Sequence, residues 1–245
     1  MAAMHELTQQ DYREGWRVVC EMTEAAGDAV SFARQGTGQL ARLVASEITT
    51  LSVCDLARNA RSVMSSPGSA ISAVDREAFD RHFAEHPLVR FHRAEPGGGA
   101  HRISDSLSRA EFRETGLYND YYRRIGIDHV IAVPLFVDRS LLVSFVLNRN
   151  SMDFSDRERM LLDLVREPLA ALYRHALARQ RSFAELPVTQ REREVLEWLA
   201  AGKTDREIAA ILGMSPRTVQ KHLQHIYEKL GVETRTAAVM RALGN

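Results

Sequence analysis

Hydrophobic and polar positions change their period several times along the chain. From Glu6 to about Arg34 apolar residues including Trp16, Val19, Ala26 and Val30 recur at helical spacing, and the Gly36-Thr37-Gly38 cluster is expected to end that helix. Thr49 to Leu56 mixes Thr, Ser and Val with short apolar runs and predicts a strand, and Ser65-Ser66-Pro67-Gly68-Ser69 predicts a turn. Asp75 to Phe83 predicts a short helix stopped by His86-Pro87, with Leu88 to Phe91 as a further strand. Glu95-Pro96-Gly97-Gly98-Gly99 is the most flexible stretch of this half. Ser108 with Glu111 forms a capping box, Leu107 its hydrophobic staple, and the helix they open runs through Phe112, Tyr118 and Tyr122 with Gly116 as a breaking point. Val130 to Leu147 predicts two buried strands, Ile131 to Phe136 and Leu141 to Leu147, joined at Asp138-Arg139-Ser140. Phe154-Ser155-Asp156-Arg157-Glu158 opens a long helix carrying Leu161, Val165, Leu169, Leu172 and Ala176, in which Pro168 should produce a kink.

A second pattern begins after a boundary placed near Arg179 to Pro187. Thr189 with Glu192, Thr204 with Glu207, and Ser215 with Pro216 are three helix starts, and Gly213 separates the last two. Ile208, Ala209 and Leu212, then Val219, Leu223 and Ile226, recur at helical spacing. Two short helices on a tight turn containing glycine match a helix-turn-helix, whose second helix can lie in the DNA major groove. The reading is of two domains, residues 1–182 and 183–245.

Composition narrows the picture. A chain of 245 residues with 45% apolar content can bury one large core or a large and a small one. Formal net charge is zero, which gives no global support to nucleic-acid binding. Positive charge is local: Pro216 to Lys229 holds Arg217, Lys221 and Lys229 against the single acid Glu228. One such head makes few phosphate contacts, which favours a homodimer on a pseudo-palindromic double-stranded site. Cys20 and Cys54 form no disulfide framework, the MAAMHELTQQ start lacks a secretory pattern, and Asp138 and Arg139 interrupt the longest apolar stretch. A cytoplasmic protein with no membrane contact is expected.

Val188-Thr189-Gln190-Arg191-Glu192-Arg193-Glu194-Val195-Leu196, Ala200-Ala201-Gly202-Lys203-Thr204, Glu207-Ile208-Ala209, Ser215 to His222, and Tyr227 to Val232 occur in this order, with Arg235 and Ala238 after them. On these segments Val188 to Leu243 resembles the LuxR-type, GerE-like DNA-binding domain of bacterial transcription regulators. The resemblance implies an all-α four-helix unit whose third helix, about Pro216 to Leu230, enters the major groove, and whose fourth, about Glu233 to Ala242, often serves dimerisation. It implies that Gln220, Lys221 and Gln224 face the groove, where Gln suits adenine edges and Lys suits guanine O6 and N7. Arg217, Thr218 and His225 are the candidates for phosphates. Many family members carry Lys where this chain has Gln220, a departure that bears on site preference and not on fold. His222 is open between a structural and a DNA-contacting role, and Arg235 between local packing and a phosphate contact.

The front half is read by exclusion and then by resemblance. No lysine precedes Lys203, which argues against a phosphoryl-accepting receiver domain, and no P-loop is present. The acyl-homoserine-lactone sensor domain of quorum-sensing members is the rival, but Trp16 is the front half's single tryptophan and the acidic-aromatic arrangement of that pocket is not evident. His101 to Asp105, Phe112 to Tyr118, Tyr121-Tyr122, Gly126-Ile127 and the Val130 to Leu147 strands resemble the GAF-like front domains of some LuxR-type regulators. That implies an α/β domain with a central antiparallel sheet that takes either a small-molecule effector or a protein contact. Phe112, Tyr118 and Tyr122 are candidates for the pocket wall, although a helix packed on a sheet needs aromatics as well. His82, His86, His92 and His101 match no tight metal motif and are read as surface or hydrogen-bonding residues. Cys54 is read as a buried small side chain, and Asp105, Glu111 and His101 have capping or exposed roles before any acid-base role. No catalytic, metal or cofactor site is expected. The expected function is that of a sequence-specific DNA-binding transcriptional regulator controlled through its front domain. The alternative is a quorum-sensing regulator binding an acyl-homoserine lactone; a response regulator, an interaction scaffold and an enzyme rank behind both.

Overall fold

Period-two alternation gives one sheet two different faces. The computed structural model describes residues 6–25, 28–58, 60–68, 71–138 and 140–242. The sequence readings that fall on Met1–His5, Ala26, Ser69, Arg139 and Leu243 lie outside the described residues. The strands β1 (Ile48–Asp55), β2 (Ala60–Ser66), β3 (His101–Arg102), β4 (His129–Val137) and β5 (Leu141–Arg149) form an antiparallel sheet in the order β2-β1-β5-β4-β3. Register sets Leu51 opposite Phe145 and Phe145 opposite Val133, with Thr49, Leu147 and Ile131 in the neighbouring row. That face is large and apolar. The other aligns Thr50 with Val146 and Ala132, Ser52 with Ser144, and Cys54 with Leu142. It is buried too, yet Thr50, Ser52, Ser144 and Asn148 make its centre small and polar.

Helices cover both faces. On the apolar side, α1 (Gln9–Ala25) and α2 (Ala29–Leu43) replace the single helix expected to Arg34, and α2 runs through Gly36-Thr37-Gly38. The glycine is there for closeness: a Cβ on Gly36 would stand 2.3 Å from Cζ of Phe145. Phe32 of α2 packs beside Phe145 with ring centroids 5.7 Å apart. Helix α1 turns Val18 and Met22 inward and leaves Trp16 69% exposed, so Trp16 is not part of the core face expected from spacing. An ion pair of 2.8 Å between Arg157 and the enclosed Asp11 fastens α1 to α6 (Asp156–Glu185), which continues through Pro168 as one helix.

The other face carries α3 (Ala73–Arg81), a 3-10 turn at Phe83–Glu85, α4 (Pro87–Ala94), α5 (Arg109–Glu114) and a π turn at Tyr118–Tyr122. The strand expected at Leu88 to Phe91 is therefore α4. Pro87 occupies its first turn and the His86 ring accepts from the backbone N–H of Leu88, a cap that outweighs a four-residue apolar run. Helix α5 has its Ser108–Glu111 capping box and stops at Thr115, one residue before the glycine expected to break it. Gly99, in the stretch read as most flexible, lies against α6: a Cβ there would be 2.6 Å from Asp163, which accepts from the N–H of Ala100 at 2.7 Å.

The chain divides into two compact units between Tyr173 and Arg174, within α6. The second unit contains α7 (Gln190–Ala200), α8 (Asp205–Leu212), α9 (Pro216–Leu230) and α10 (Arg235–Ala242). Capping boxes at Thr189–Glu192 and Thr204–Glu207 start α7 and α8, and the Ser215 side chain accepts from Thr218 N to start α9. Gly213 and Gly231 end α8 and α9 in the left-handed conformation that glycine adopts without a Cβ penalty. Val195, Leu196, Leu199, Ile208, Val219, Leu223, Ile226 and Ala238 close the core.

Candidate nucleic-acid interface and front-domain cavity

The core of the helical unit decides which side of α9 is available. Val219, Leu223, Ile226 and Leu230 are buried, so Arg217, Gln220, Lys221 and Gln224 fall together on the outer face at positions three and four apart. Gln224 Nε2 donates to Glu228 Oε1 at 3.4 Å on the same face. Thr218 is exposed at the start of the helix, its hydroxyl 2.8 Å from that of Ser215. His222 is half-buried. His225 stands apart from this stripe, with Nδ1 3.9 Å from Glu192 Oε1 on the side toward α7.

Glu192 is read from sequence as the capping partner of Thr189. It caps α7, accepting from Thr189 N at 2.7 Å, but it is only 4% exposed and accepts from Lys229 Nζ at 2.7 Å. Burial works to raise its carboxyl, and the bonds from Lys229 and Thr189 prevail and hold it below the ordinary glutamate range. The charge of Lys229 is therefore committed inside the unit, and the outer face of α9 presents Arg217 and Lys221 as its cations. Arg235 donates to Asp205 Oδ1 at 2.8 Å and to the backbone oxygen of Lys203, so it ties α10 to the start of α8. Arg191 donates to Leu212 O at 2.6 Å, where a cation suits the carbonyl end of α8.

In the front unit the small polar sheet face leaves a cavity of about 40 Å³ beneath α3, α4 and the π turn. Its wall includes Thr50, Ser52, Ser144 and Asn148 from the strands, Arg61 from β2, and His86, His92, Tyr121 and Tyr122 from above. Of the three aromatics proposed from sequence, Tyr122 lines this space. Phe112 sits behind it, its ring centroid 5.4 Å from that of Tyr122, and borders a separate hollow of about 30 Å³. Tyr118 is also outside the cavity and donates its hydroxyl to Asp128 at 2.6 Å. The sequence reading did not single out Arg61. It read His86 and His92 as surface or hydrogen-bonding residues; both are buried, because the segment carrying them is α4 and its cap, and of the two only His86 is hydrogen-bonded.

The cavity's titratable groups are strongly perturbed. Burial pushes His86 down to about 3 and His92 down to about 4, with Arg61 acting against His86 and His101 against His92 in the same direction. Both rings are neutral near pH 7. His86 Nε2 and the Tyr122 hydroxyl are 2.8 Å apart, while neither nitrogen of His92 has a hydrogen-bond partner. Burial pushes the Cys54 thiol up to about 12, consistent with an inert small side chain. Among the described residues no group of three His, Cys, Asp or Glu could hold a metal ion, and no helix is long and apolar enough to cross a membrane.

Residues 186–242 match the family model described as bacterial regulatory proteins, luxR family. The probable transcriptional regulatory protein NarL of Mycobacterium tuberculosis is 50% identical over 66 residues, which are 26% of this chain and 31% of that protein. The quorum sensing-dependent transcriptional regulator RpaR of Rhodopseudomonas palustris is 43% identical over 79 residues, 31% of this chain and 32% of that protein. These matches span about a third of the relatives' own length. The front domain is similar in fold to the LBD domain of VqsR from Pseudomonas aeruginosa, with a TM-score of 0.52 at 17% identity over 64% of this chain and 93% of that one. The relatives are named as regulators of transcription and not as enzymes. The four-helix unit with its capped α8–Gly213–α9 turn is thus a helix-turn-helix domain of the LuxR/GerE family, and a domain built on a central antiparallel sheet precedes it.

Proposed function

We propose that this protein is a sequence-specific DNA-binding transcriptional regulator whose head, residues 183–245, is controlled by a small molecule held in the front-domain cavity. The carrying observation is the outer face of α9. Arg217, Gln220, Lys221 and Gln224 are exposed together while every large apolar side chain of that helix is spent on the head's own core. Gln220, Lys221 and Gln224 are assigned to base edges, and Arg217 and Thr218 to phosphates. His225 reaches DNA only at the edge of this face. Two cations on the outer face of α9 give a weak electrostatic footprint, so a homodimer reads two half-sites of a pseudo-palindrome. The effector acts by favouring one arrangement of the protein over another.

Selection of sites from random DNA with the full-length protein tests this reading. Recovery of a two-fold symmetric motif supports it; recovery of no motif at low salt, from protein shown to be folded, rejects it. A quorum-sensing regulator responding to an acyl-homoserine lactone is the second reading, which the quorum-sensing dependence of the relative RpaR favours. Its test is a thermal-shift titration with N-octanoyl-homoserine lactone.

A further inference from the structure

The cavity wall holds one cation, Arg61, with a buried N–H that meets no acceptor. Arg61 enters from β2 with its side chain 6% exposed and its guanidinium 3.5 Å above the Phe79 ring. Its Nε lies 3.7 Å from Asp80, a residue half in solvent that does not line the cavity, and its Nη2 is buried without a hydrogen-bond partner. Among the described lining residues there is no carboxylate. The remaining polar groups are neutral: hydroxyls of Thr50, Ser52, Ser144, Tyr121 and Tyr122, the Asn148 amide, the two imidazoles, and a protonated thiol at Cys54. A buried guanidinium with an unmet N–H is unfavourable unless an acceptor reaches it, and an anionic acceptor answers both its charge and its geometry. His92 is a second unmet group in the same wall, 1% exposed, and its neutral ring offers one N–H donor and one acceptor.

We infer that the front-domain cavity takes a small carboxylate-headed molecule, with the anionic group on Arg61 and His92 beside it. This rests on the reading of the cavity as the effector site. The space of about 40 Å³ has room for two or three waters or for the carboxyl head, and a longer tail requires the lining Leu88 and Val89 of α4 to yield. The apolar part of the ligand meets Leu142, Val146 and Ala132 of the sheet. An uncharged ligand brings no charge-assisted bond to the free Nη2 of Arg61.

Isothermal titration of the full-length protein at neutral pH tests the inference with two matched pairs, octanoate with octanamide and benzoate with benzamide, and with N-octanoyl-homoserine lactone as a neutral probe. At least one carboxylate is expected to bind about tenfold or more tighter than its amide, the effect of one charge-assisted bond. Arg61→Gln removes that preference and Arg61→Lys retains part of it. Thermal melts of the ligand-free proteins accompany the titrations and establish that each variant is folded. If an amide or the lactone binds wild type as tightly as the carboxylates, the cavity stands as the effector site and the anion inference falls. If no probe binds, both fall.

Discussion

Glu192 on α7 and Lys229 near the end of α9 form an ion pair of 2.7 Å in which the carboxylate is almost fully enclosed and the ammonium is partly in solvent. The same carboxylate closes the capping box of α7. One side chain therefore fixes the start of one helix and the end of the proposed recognition helix. Lys229→Met leaves the enclosed carboxylate without its cation and should destabilise the head by about 1–3 kcal/mol, between the effects of breaking exposed and buried pairs. Glu192→Gln should be milder, since the amide can still accept from Thr189. A Trp16→Phe background leaves Trp198 as the remaining tryptophan, so urea unfolding followed by its fluorescence reports the head; a midpoint for Lys229→Met equal to wild type would reject this account.

Lys221→Ala should weaken binding to the selected DNA site by roughly 1–3 kcal/mol without lowering the head's unfolding midpoint, because Lys221 is exposed and makes no packing contact that α9 depends on. A base-reading lysine also relaxes selectivity at one position of the half-site. A phosphate-contacting one weakens all sequences alike and reduces the salt slope by about 1. Fluorescence anisotropy at several salt concentrations, on the selected site and on single-base variants, separates the two; unchanged affinity and selectivity would remove Lys221 from the interface.

The head was legible because its signals are local. Thr189, Thr204 and Ser215 each cap from within three residues, and Gly213 and Gly231 stop helices by their own backbone conformation. The strands β4 and β5 were legible as β-branched runs. Segment β2 was missed because Ala60-Arg61-Ser62-Val63-Met64-Ser65-Ser66 has a weak strand pattern of its own; pairing with β1 along its whole length makes it one. The cavity was illegible for a related reason. Arg61 and His92 belong to a strand and a helix far apart in sequence, and no spacing announces their meeting. A signal did exist in the small polar residues Thr50 and Ser52 of β1 and Ser144 and Asn148 of β5, which alternate with large apolar ones and mark a buried face unable to fill its own space. The burial of Glu192 carried no signal either, since an exposed capping box reads the same.

Gly36 and Gly38 sit two residues apart in α2, on different faces of the helix, and should respond in opposite directions. Gly36→Ala places a methyl group where Phe145 already is, and should destabilise the front domain by about 1–3 kcal/mol through overpacking. A Cβ at Gly38 meets nothing within 4 Å, so Gly38→Ala should stabilise by about 0.5–1 kcal/mol through helix propensity. Thermal melts of the two variants beside wild type check the sign of each. A destabilised Gly38→Ala or an unchanged Gly36→Ala would contradict the packing described for this helix.

Asp128 joins the turn before β4 to three donors: Tyr118 at 2.6 Å, Arg109 at 2.5 Å and Arg113 at 2.6 Å. Burial works to raise its carboxyl, but these bonds prevail and hold it at about 2. Its folded value is below the unfolded one of about 3.9, so the stability it adds is complete above that value and is lost as pH falls toward 2. The linkage is worth about 2 kcal/mol near neutral pH. Asp128→Asn should therefore lower front-domain stability at pH 7 by about that amount, with the difference from wild type shrinking progressively below pH 4. Urea unfolding at a series of pH values, followed by circular dichroism at the sheet-rich transition, measures it. A gap between variant and wild type that stays constant from pH 7 to pH 3 would mean that the carboxylate charge is not what Arg109, Arg113 and Tyr118 hold.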